Sequence, residues 1–523
     1  MDSTHDPPRF NLWSSPWFTA ETMSGELETV SIAQLLVNAA AYQALFDPSP
    51  LVIVSIHRLL VAILQDIFQP EYEEDLMAMW ETAAFPSDKI RQFGTAYAYR
   101  FDLFSADTPF LQSGDIPLHP EKKGKGKSVG YLLPEQTAGT AVTHYNHTYD
   151  ARQILCAACC AKGLLTIPAF ASSGGATFRP SINGVPPIYV IPGGETYYYS
   201  LVASLLTPSF QPDVADRVND TPWWRHHPIV GKKEELLKVG YLHSLTFPAR
   251  RVRLHPERMT RACSRCGEMT TWGAAEMVYE MGESRPKDAA FWRDPFAAYR
   301  LKDEKEPTPI RPVEGKAVWR EFGGLFLPQG KEGAFLRPSV IGQLEALRDE
   351  LPYSRSAPIP FQTVGLRTDM KMKIFEWESS GFRVPPSVLS DAETAVKVTA
   401  ALEFAARCDS IIKNTFTQYF GGGGPNKRHN NLRQRLSHAF WELLAPEFNT
   451  FIQAVGRPDN LEASFHIWLD AVQANAIRQF NAFAEMVGSD ATTLKERVQA
   501  TSHNRAKIYK LRKDNYPKEV VHE

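Results

Sequence analysis

The sequence has little cysteine, six residues in 523, no excess of charge of either sign, and no long unbroken apolar run. Lys and Arg total 57 against 59 Asp and Glu, so no global positive field draws the chain to nucleic acid or anionic lipid. Any such binding has to be local. The most apolar stretch, LVIVSIHRLLVAILQDIF, is interrupted by His57 and Arg58. The opening MDSTHDPPRFNLW lacks both a basic region ahead of an apolar run and a small-residue cleavage site. We expect a cytosolic, cytoplasmic protein with no membrane partner. Also missing are a His-Glu-x-x-His pair, a phosphate loop of Walker type and a Gly-x-Ser-x-Gly elbow. The adjacent His226 and His227 in PWWRHHP read as surface or packing residues rather than ligands.

What is present is a globular balance, 43% hydrophobic and 22% charged, with 38 prolines beside 32 glycines. The length exceeds the roughly 250–300 residues at which single cores stop growing, so two or three units are expected. Five of the six cysteines fall in two short knots, CAACC (156–160) and CSRCG (263–267). A Cys-x-x-Cys turn points two sulfurs at one ion, and two such turns complete a closed tetrahedral site. Cys156, Cys159, Cys263 and Cys266 have that spacing, and in a reducing cytosol such clusters read as metal ligands rather than disulfides. The expected cofactor is a structural zinc that pins the ends of the intervening, loop-rich segment. Cys160 could replace Cys159, and two unrelated buried cysteine turns are the plainer alternative. A catalytic zinc would need a position open to water and usually His or carboxylate ligands. Cys408 reads as a core residue.

Along the chain, FNLWSSPWFTA reads as a strand and turn, followed by a helix after Thr29. The stretch around residues 50–68 reads as a buried helix with Leu59, Leu60, Ile63, Leu64 and Ile67 on its stripe and Arg58 and Asp66 off it. YAYRFDLF alternates as a strand would. Lys122, Lys123, Lys125 and Lys127 form a Lys/Gly loop, either simply solvated or touching phosphate. PPIYVIPGGETYYYSLVASLL predicts a strand, a turn and a helix. LTFPARRVRL predicts a strand whose Arg250, Arg251 and Arg253 mark either a charged edge or a groove.

Beyond Pro386 proline thins out and helical periodicity takes over. Ser390 to Glu393 has the Ser-x-x-Glu form of a capping box, and the helix it starts should stop at Gly421 to Gly424. Three more helices follow, the third with Phe465, Trp468, Leu469, Val472, Ala476, Phe480 and Phe483 on one face. The fold class is therefore α+β: an irregular mixed α/β domain over 1–385 with a zinc-stapled, loop-rich region, then a four-helix bundle over 386–523.

Taken in order, FNLWSSPWFTA, HRLLVAIL, FDLFSADTPFLQ, LTFPARRVRL, the two cysteine knots and the terminal bundle resemble the large subunit of Cascade, the type I-E CRISPR surveillance complex. The resemblance runs from about residue 10 to the end. It implies a non-catalytic subunit that reads the motif flanking the target (the PAM), helps open double-stranded DNA for crRNA pairing, and recruits a helicase-nuclease. The implied partners are crRNA, target DNA, the helicase-nuclease, and the backbone, small and 5′-end subunits. In such systems base pairing reads the sequence while protein reads the flanking motif.

Carried over residue by residue, the resemblance assigns Tyr145, Asn146 and His147 to the guide's end and the flanking motif. It assigns Ser172, Ser173, Gly174, Gly175 and Ala176 to a glycine loop approaching the minor groove, where a missing Cβ lets main chain come close. Serines and Ala176 stand where a longer glycine run is usual. The duplex wedge falls on Thr368, Asp369, Met370 and Lys371, with Met370 in place of a glutamine, so motif preference is expected to differ. The family's minor-groove lysine has no clean counterpart, leaving Arg285 or Lys287 as substitutes. Lys427, Arg428, Arg433 and Arg435, with Arg505, Lys507, Lys510, Arg512 and Lys513, are either solvated faces or a track for displaced DNA. The competing readings are a zinc-dependent DNA-processing enzyme acting alone and a scaffold that only assembles the complex.

Overall fold

A computed structural model describes residues 8–117, 126–134, 153–173, 178–212, 220–225, 231–302, 305–328, 335–347, 357–368, 374–421, 429–488 and 490–517. The chain divides into two units. The first comprises Met1–Pro312, Phe335–Pro352 and Pro360–Gly381, and the second Val313–Ala334, Tyr353–Ile359 and Phe382–Glu523.

The first unit opens with an antiparallel sheet ordered β2-β1-β3, from β1 (Phe18–Thr22), β2 (Leu27–Val30) and β3 (Tyr42–Phe46). Between β2 and β3, α1 (Ile32–Val37) starts at Ser31, whose hydroxyl accepts the N–H of Gln34. Next comes α2 (Pro50–Phe68), long and apolar enough to cross a membrane but buried inside the fold. Leu59, Leu60, Ile63 and Leu64 of its expected apolar stripe are buried and Ile67 is half-buried, while Arg58 and Asp66, which the periodicity puts off the stripe, are buried too. A helix enclosed on all sides leaves a charge no route to water, so each needs a partner. Arg58 donates from both terminal nitrogens to Asp294, at 3.0 and 2.9 Å. Asp66 accepts from Trp224 Nε1 and Arg225 Nε.

After α3 (Glu73–Thr82) and α4 (Ser87–Tyr97) the expected strand YAYRFDLF is instead the end of α4 and a 3-10 turn, Ala98–Phe101. Aromatic packing decides this. Phe93 and Tyr97 are one helical turn apart with rings 5.1 Å from each other, and Phe93 also meets Trp13 and Phe101.

A second sheet is centred on β8 (Trp272–Met281). On one side it pairs antiparallel with β7 (Arg250–Arg258), and on the other with β4 (Lys127–Ser128) and β5 (Leu155–Cys156). From β5 the chain passes directly into α5 (Ala157–Phe170), which packs on α2. The predicted strand and helix after Pro187 are β6 (Tyr189–Pro192) and α6 (Tyr197–Val202), and α7 (Tyr241–Leu245) precedes β7. Sheet β10-β9-β11 comprises β9 (Tyr299–Lys302), β10 (Lys305–Pro309) and β11 (Phe335–Leu336). Sheet β13-β12-β6 adds β12 (Ile359–Thr368) and β13 (Ile374–Val384). Two short helices, α8 (Phe322–Phe326) and α9 (Ser339–Ala346), lie between these strands in sequence.

In the second unit α10 (Pro386–Ser390) leads into α11 (Ala392–Phe420). The cap is Asp391, one residue later than expected: its carboxylate accepts the N–H of Thr394 at 2.7 Å. Ser390 belongs to α10, its hydroxyl donating to Pro386 O, and so is not free to cap. α11 ends at Gly421 in a left-handed conformation (φ 70°), as the glycine run predicts. The expected second helix is two, α12 (Asn430–Glu442) and α13 (Ala445–Val455). Pro446, without an N–H, fits the first turn of a new helix and not the interior of an old one. α14 (Leu461–Glu485) and α15 (Ala491–Asn515) complete the unit. All seven residues of the predicted α14 face are buried. Trp468 stacks 5.6 Å from Phe451, and its indole N–H reaches Ala401 O. Cys408 is a buried core residue of α11, as expected.

Candidate metal centre and nucleic-acid interface

β5 ends and α5 begins at Cys156, which lies opposite Gly273 of β8 in the sheet register. That register brings the first knot to the second. The ligand atoms of Cys156, Cys159, Cys263 and Cys266 lie within 4.8 Å of one another, with Cys156 Sγ and Cys266 Sγ 3.7 Å apart. The second knot is a tight turn in which the N–H of Gly267 (φ 79°) donates to Cys263 O, and the N–H of Ser264 donates to Ile154 O. Cys160 points elsewhere. It is fully buried, with its thiol toward Leu155 O, so Cys159 is the member of the cluster.

Without a cation, four thiolates cannot coexist here. Thiols of Cys156 and Cys159, with the Cys156 N–H, hold the Cys263 thiol well below its ordinary range. Cys159 is driven upward by Cys156, Cys263 and burial. At Cys156 the lowering contact with Cys159 is outweighed by Cys263 and burial, which push it to about 12. Four convergent sulfurs are a donor set that a divalent ion would complete.

A carboxylate that the sequence did not point to ties this centre to the unit. Asp47, just after β3 and buried, accepts from Arg265 of the second knot at 2.6 Å and from Lys162 of α5 at 2.9 Å. Burial alone would raise its pKa, but Arg265 and Lys162 outweigh burial and lower it.

The arginines of β7 are neither a free edge nor a groove lining. Arg250 and Arg253 are buried, and Arg251 pairs with Asp115. Arg250 holds both stems of the glycine loop with one guanidinium: Nη2 donates to Ser172 O at 2.6 Å and Nη1 to Arg179 O at 2.7 Å. Its carbon lies 5.0 Å from the ring of Phe178, and Lys127 Nζ lies 4.6 Å from the same ring. Burial, then the charge of Arg250, lowers the pKa of Lys127. Ser172 and Ser173 are buried in this stem, with the Ser173 hydroxyl donating to Phe178 O, so their side chains are part of the support. Gly174, Gly175 and Ala176 lie outside the described residues, as do Tyr145, Asn146, His147, Lys122, Lys123, Lys125, His226 and His227.

Thr368 is the last residue of β12. Asp369, Met370 and Lys371 lie outside the described residues. On the adjoining β13, Phe375 and Trp377 are exposed, and Arg367 stacks 4.6 Å from Phe375, aromatics that a polar-turn reading passed over. Of the two lysine substitutes, Arg285 is half-buried and bonded to Ala290 O, whereas Lys287 is exposed. In the helical unit Arg512 is not part of a solvated cationic face. It is buried and bonded to Asp470 and His466. Arg435, Arg505, Lys510 and Lys513 are exposed, Arg433 and Lys507 are half-buried, and Lys427 and Arg428 lie outside the described residues.

The family described as CRISPR-associated protein Cse1 matches residues 11–479. The CRISPR-associated protein CasA/Cse1 of Thermus thermophilus is 26% identical over 518 residues, spanning 94% of this chain and 95% of its own. Among solved structures, Cse1 from Acidimicrobium ferrooxidans superposes with a TM-score of 0.79 at 20% identity, covering 98% of this chain and 99% of its own. A chain of a CRISPR RNA-guided surveillance complex superposes with a TM-score of 0.75 at 17% identity, covering 96% and 100%.

Proposed function

The chain belongs to the family CRISPR-associated protein Cse1, and from that premise we propose that it is the large, non-catalytic subunit of a cytoplasmic type I-E Cascade complex. It reads the PAM beside the target, helps open the duplex for crRNA pairing, and recruits the helicase-nuclease. Its partners are crRNA, double-stranded DNA, and the backbone, small and 5′-end subunits. The observation that carries this reading is the Arg250 clamp. One buried guanidinium fixes both ends of a short Gly-Gly segment, which is what presenting main chain to a minor groove requires. Tyr145, Asn146 and His147 contact the guide's end and the motif, Asp369, Met370 and Lys371 form the wedge, and Lys287 supplies the minor-groove cation.

The four cysteines hold a structural zinc. Bonds of about 2.3 Å in a tetrahedron put sulfurs roughly 3.8 Å apart, close to the 3.7 Å between Cys156 and Cys266. A site filled by four thiolates has no position for substrate water, which favours a staple over a hydrolytic centre.

The test compares duplexes differing only in the flanking motif, bound by the assembled complex. Gly175→Asp abolishes discrimination while leaving assembly intact, and unchanged discrimination overturns the reading. Metal-dependent DNA cleavage by the purified chain, lost in His226→Ala, would instead establish the enzyme alternative.

A further inference from the structure

Beside the cysteine cluster, on residues outside the loops discussed above, lies a cleft of about 790 Å³ lined by Arg9, Phe10, Arg258, Thr271 and Trp272 and by Ala157 and Ala158 of the first turn of α5. Its size falls within the roughly 300–1,000 Å³ typical of ligand sites. Among the described residues the lining includes two arginines and no carboxylate, in a chain where acids outnumber bases 59 to 57. Both arginines are exposed, and among the described residues neither forms an ion pair. The Arg258 guanidinium lies 5.0 Å from the centroid of the Trp272 ring, a cation–π contact between cross-strand partners of β7 and β8. Beside it, Ala157 and Ala158 in the opening turn of a 14-residue helix line the same space.

From this convergence we propose that the cleft binds single-stranded nucleic acid, with a phosphate between Arg9, Arg258 and the start of α5 and a base stacked on the Arg258–Trp272 pair. Phosphate recognition by paired guanidiniums and sequence-tolerant stacking on an aromatic or guanidinium plane are the two contacts that unpaired strands offer. The cleft depends on the clasp for its shape: Trp272 opens β8 next to Gly273, the partner of Cys156, and Ala157 follows Cys156 directly. The proposal goes beyond the flanking-motif reading and does not depend on which motif is read.

The experiment measures anisotropy of short fluorescent oligouridylate and oligothymidylate on the full chain over a salt series. Trp272→Ala weakens binding by roughly tenfold. Arg258→Glu weakens it at least as much and flattens the salt dependence by roughly 0.7 per lost phosphate. Arg258→Lys keeps the salt slope and loses the stacking part. Unaltered thermal unfolding and metal content show that the substitutions leave the fold intact. Wild-type affinity in both Trp272→Ala and Arg258→Glu overturns the proposal, as does displacement of the probe by inorganic phosphate as effectively as by unlabelled oligonucleotide. Normal oligonucleotide binding with impaired assembly would make the cleft a protein contact, and the proposal would fall. PAM discrimination, measured on the same variants, stays at wild type, so failure here and failure of the glycine-loop reading are separable.

Discussion

Within its apolar core the first unit carries buried polar contacts between residues far apart in the chain, whereas the second is organised by apolar periodicity along its helices. Arg58 meets Asp294 across 236 positions, Arg265 meets Asp47 across 218, and the cysteine knots meet across 110. In the second unit Trp319, Phe448, Phe451 and Trp468 form one aromatic cluster, and the caps at Asp391 and Asp490 bond two or three residues ahead. The difference teaches where each unit is fragile. A dispersed apolar core loses stability in proportion to the volume removed, whereas a buried charge or a metal ligand fails through the partner it strands.

The largest effect should come from the clasp. Cys263→Ser removes a ligand from a site whose metal affinity is folding free energy, about 10–16 kcal/mol in zinc-finger peptides. We expect loss of about one zinc per chain by elemental analysis, and cleavage of the first unit by protease at concentrations the wild type resists. Cys408→Ser, in the helical unit, leaves the metal in place. Equal metal content in both variants would erase the contrast.

Next in size are two substitutions expected to match in cost and differ in cause. Trp468→Ala should lose about 3–5 kcal/mol through a void, and Arg58→Ala a similar amount through an unpaired Asp294. Denaturant unfolding separates them: adding Asp294→Asn to Arg58→Ala restores part of the loss by removing the stranded charge. No restoration would mean that Arg58 acts by packing on Tyr189 and Phe296.

A pH dependence follows from His57 on α2, which sits between Tyr197 Oη and Ser204 Oγ at 3.0 and 2.9 Å. Burial, then the charge of Arg58, lowers its pKa from 6.5 to about 3. Between these values the unfolded chain binds the proton and the folded chain does not. His57 therefore contributes its stability above pH 6.5, and that contribution is lost as pH falls toward 3, by up to about 1.4 kcal/mol per unit. His57→Gln should flatten the slope over that interval in the first unit and leave the helical unit unchanged.

The smallest effect tests a local device. Asp391→Ala should cost about 1 kcal/mol, while Ser390→Ala should cost appreciably less, since Ser390 does not cap α11. Equal costs would return the cap to the Ser-x-x-Glu reading.

Much of the helical unit was legible. The α14 face, the stop at Gly421 and the burial of Cys408 follow from spacing and from glycine's backbone freedom, both local properties. The misses were local competitions that sequence leaves open, such as Ser390 closing α10 and Pro446 opening α13. In the first unit the strands of the 187–202 and 250–258 regions were legible, yet the roles of their arginines were not. Arg250 in a strand pattern looks like a charged edge until Ser172 and Arg179 are seen to converge on it.

Four cysteines at Cys-x-x-Cys spacing, the helical periodicity beyond Pro386 and the ordered set of family motifs were determined by the sequence itself, because ligand chemistry and amphipathic spacing are written in consecutive residues. Which sulfur joins the cluster, which carboxylate bolts it to the sheet, and which arginine supports the loop were decided only in three dimensions. A buried charge or thiol is defined by the groups that enclose it, and those come from segments that the chain order keeps apart.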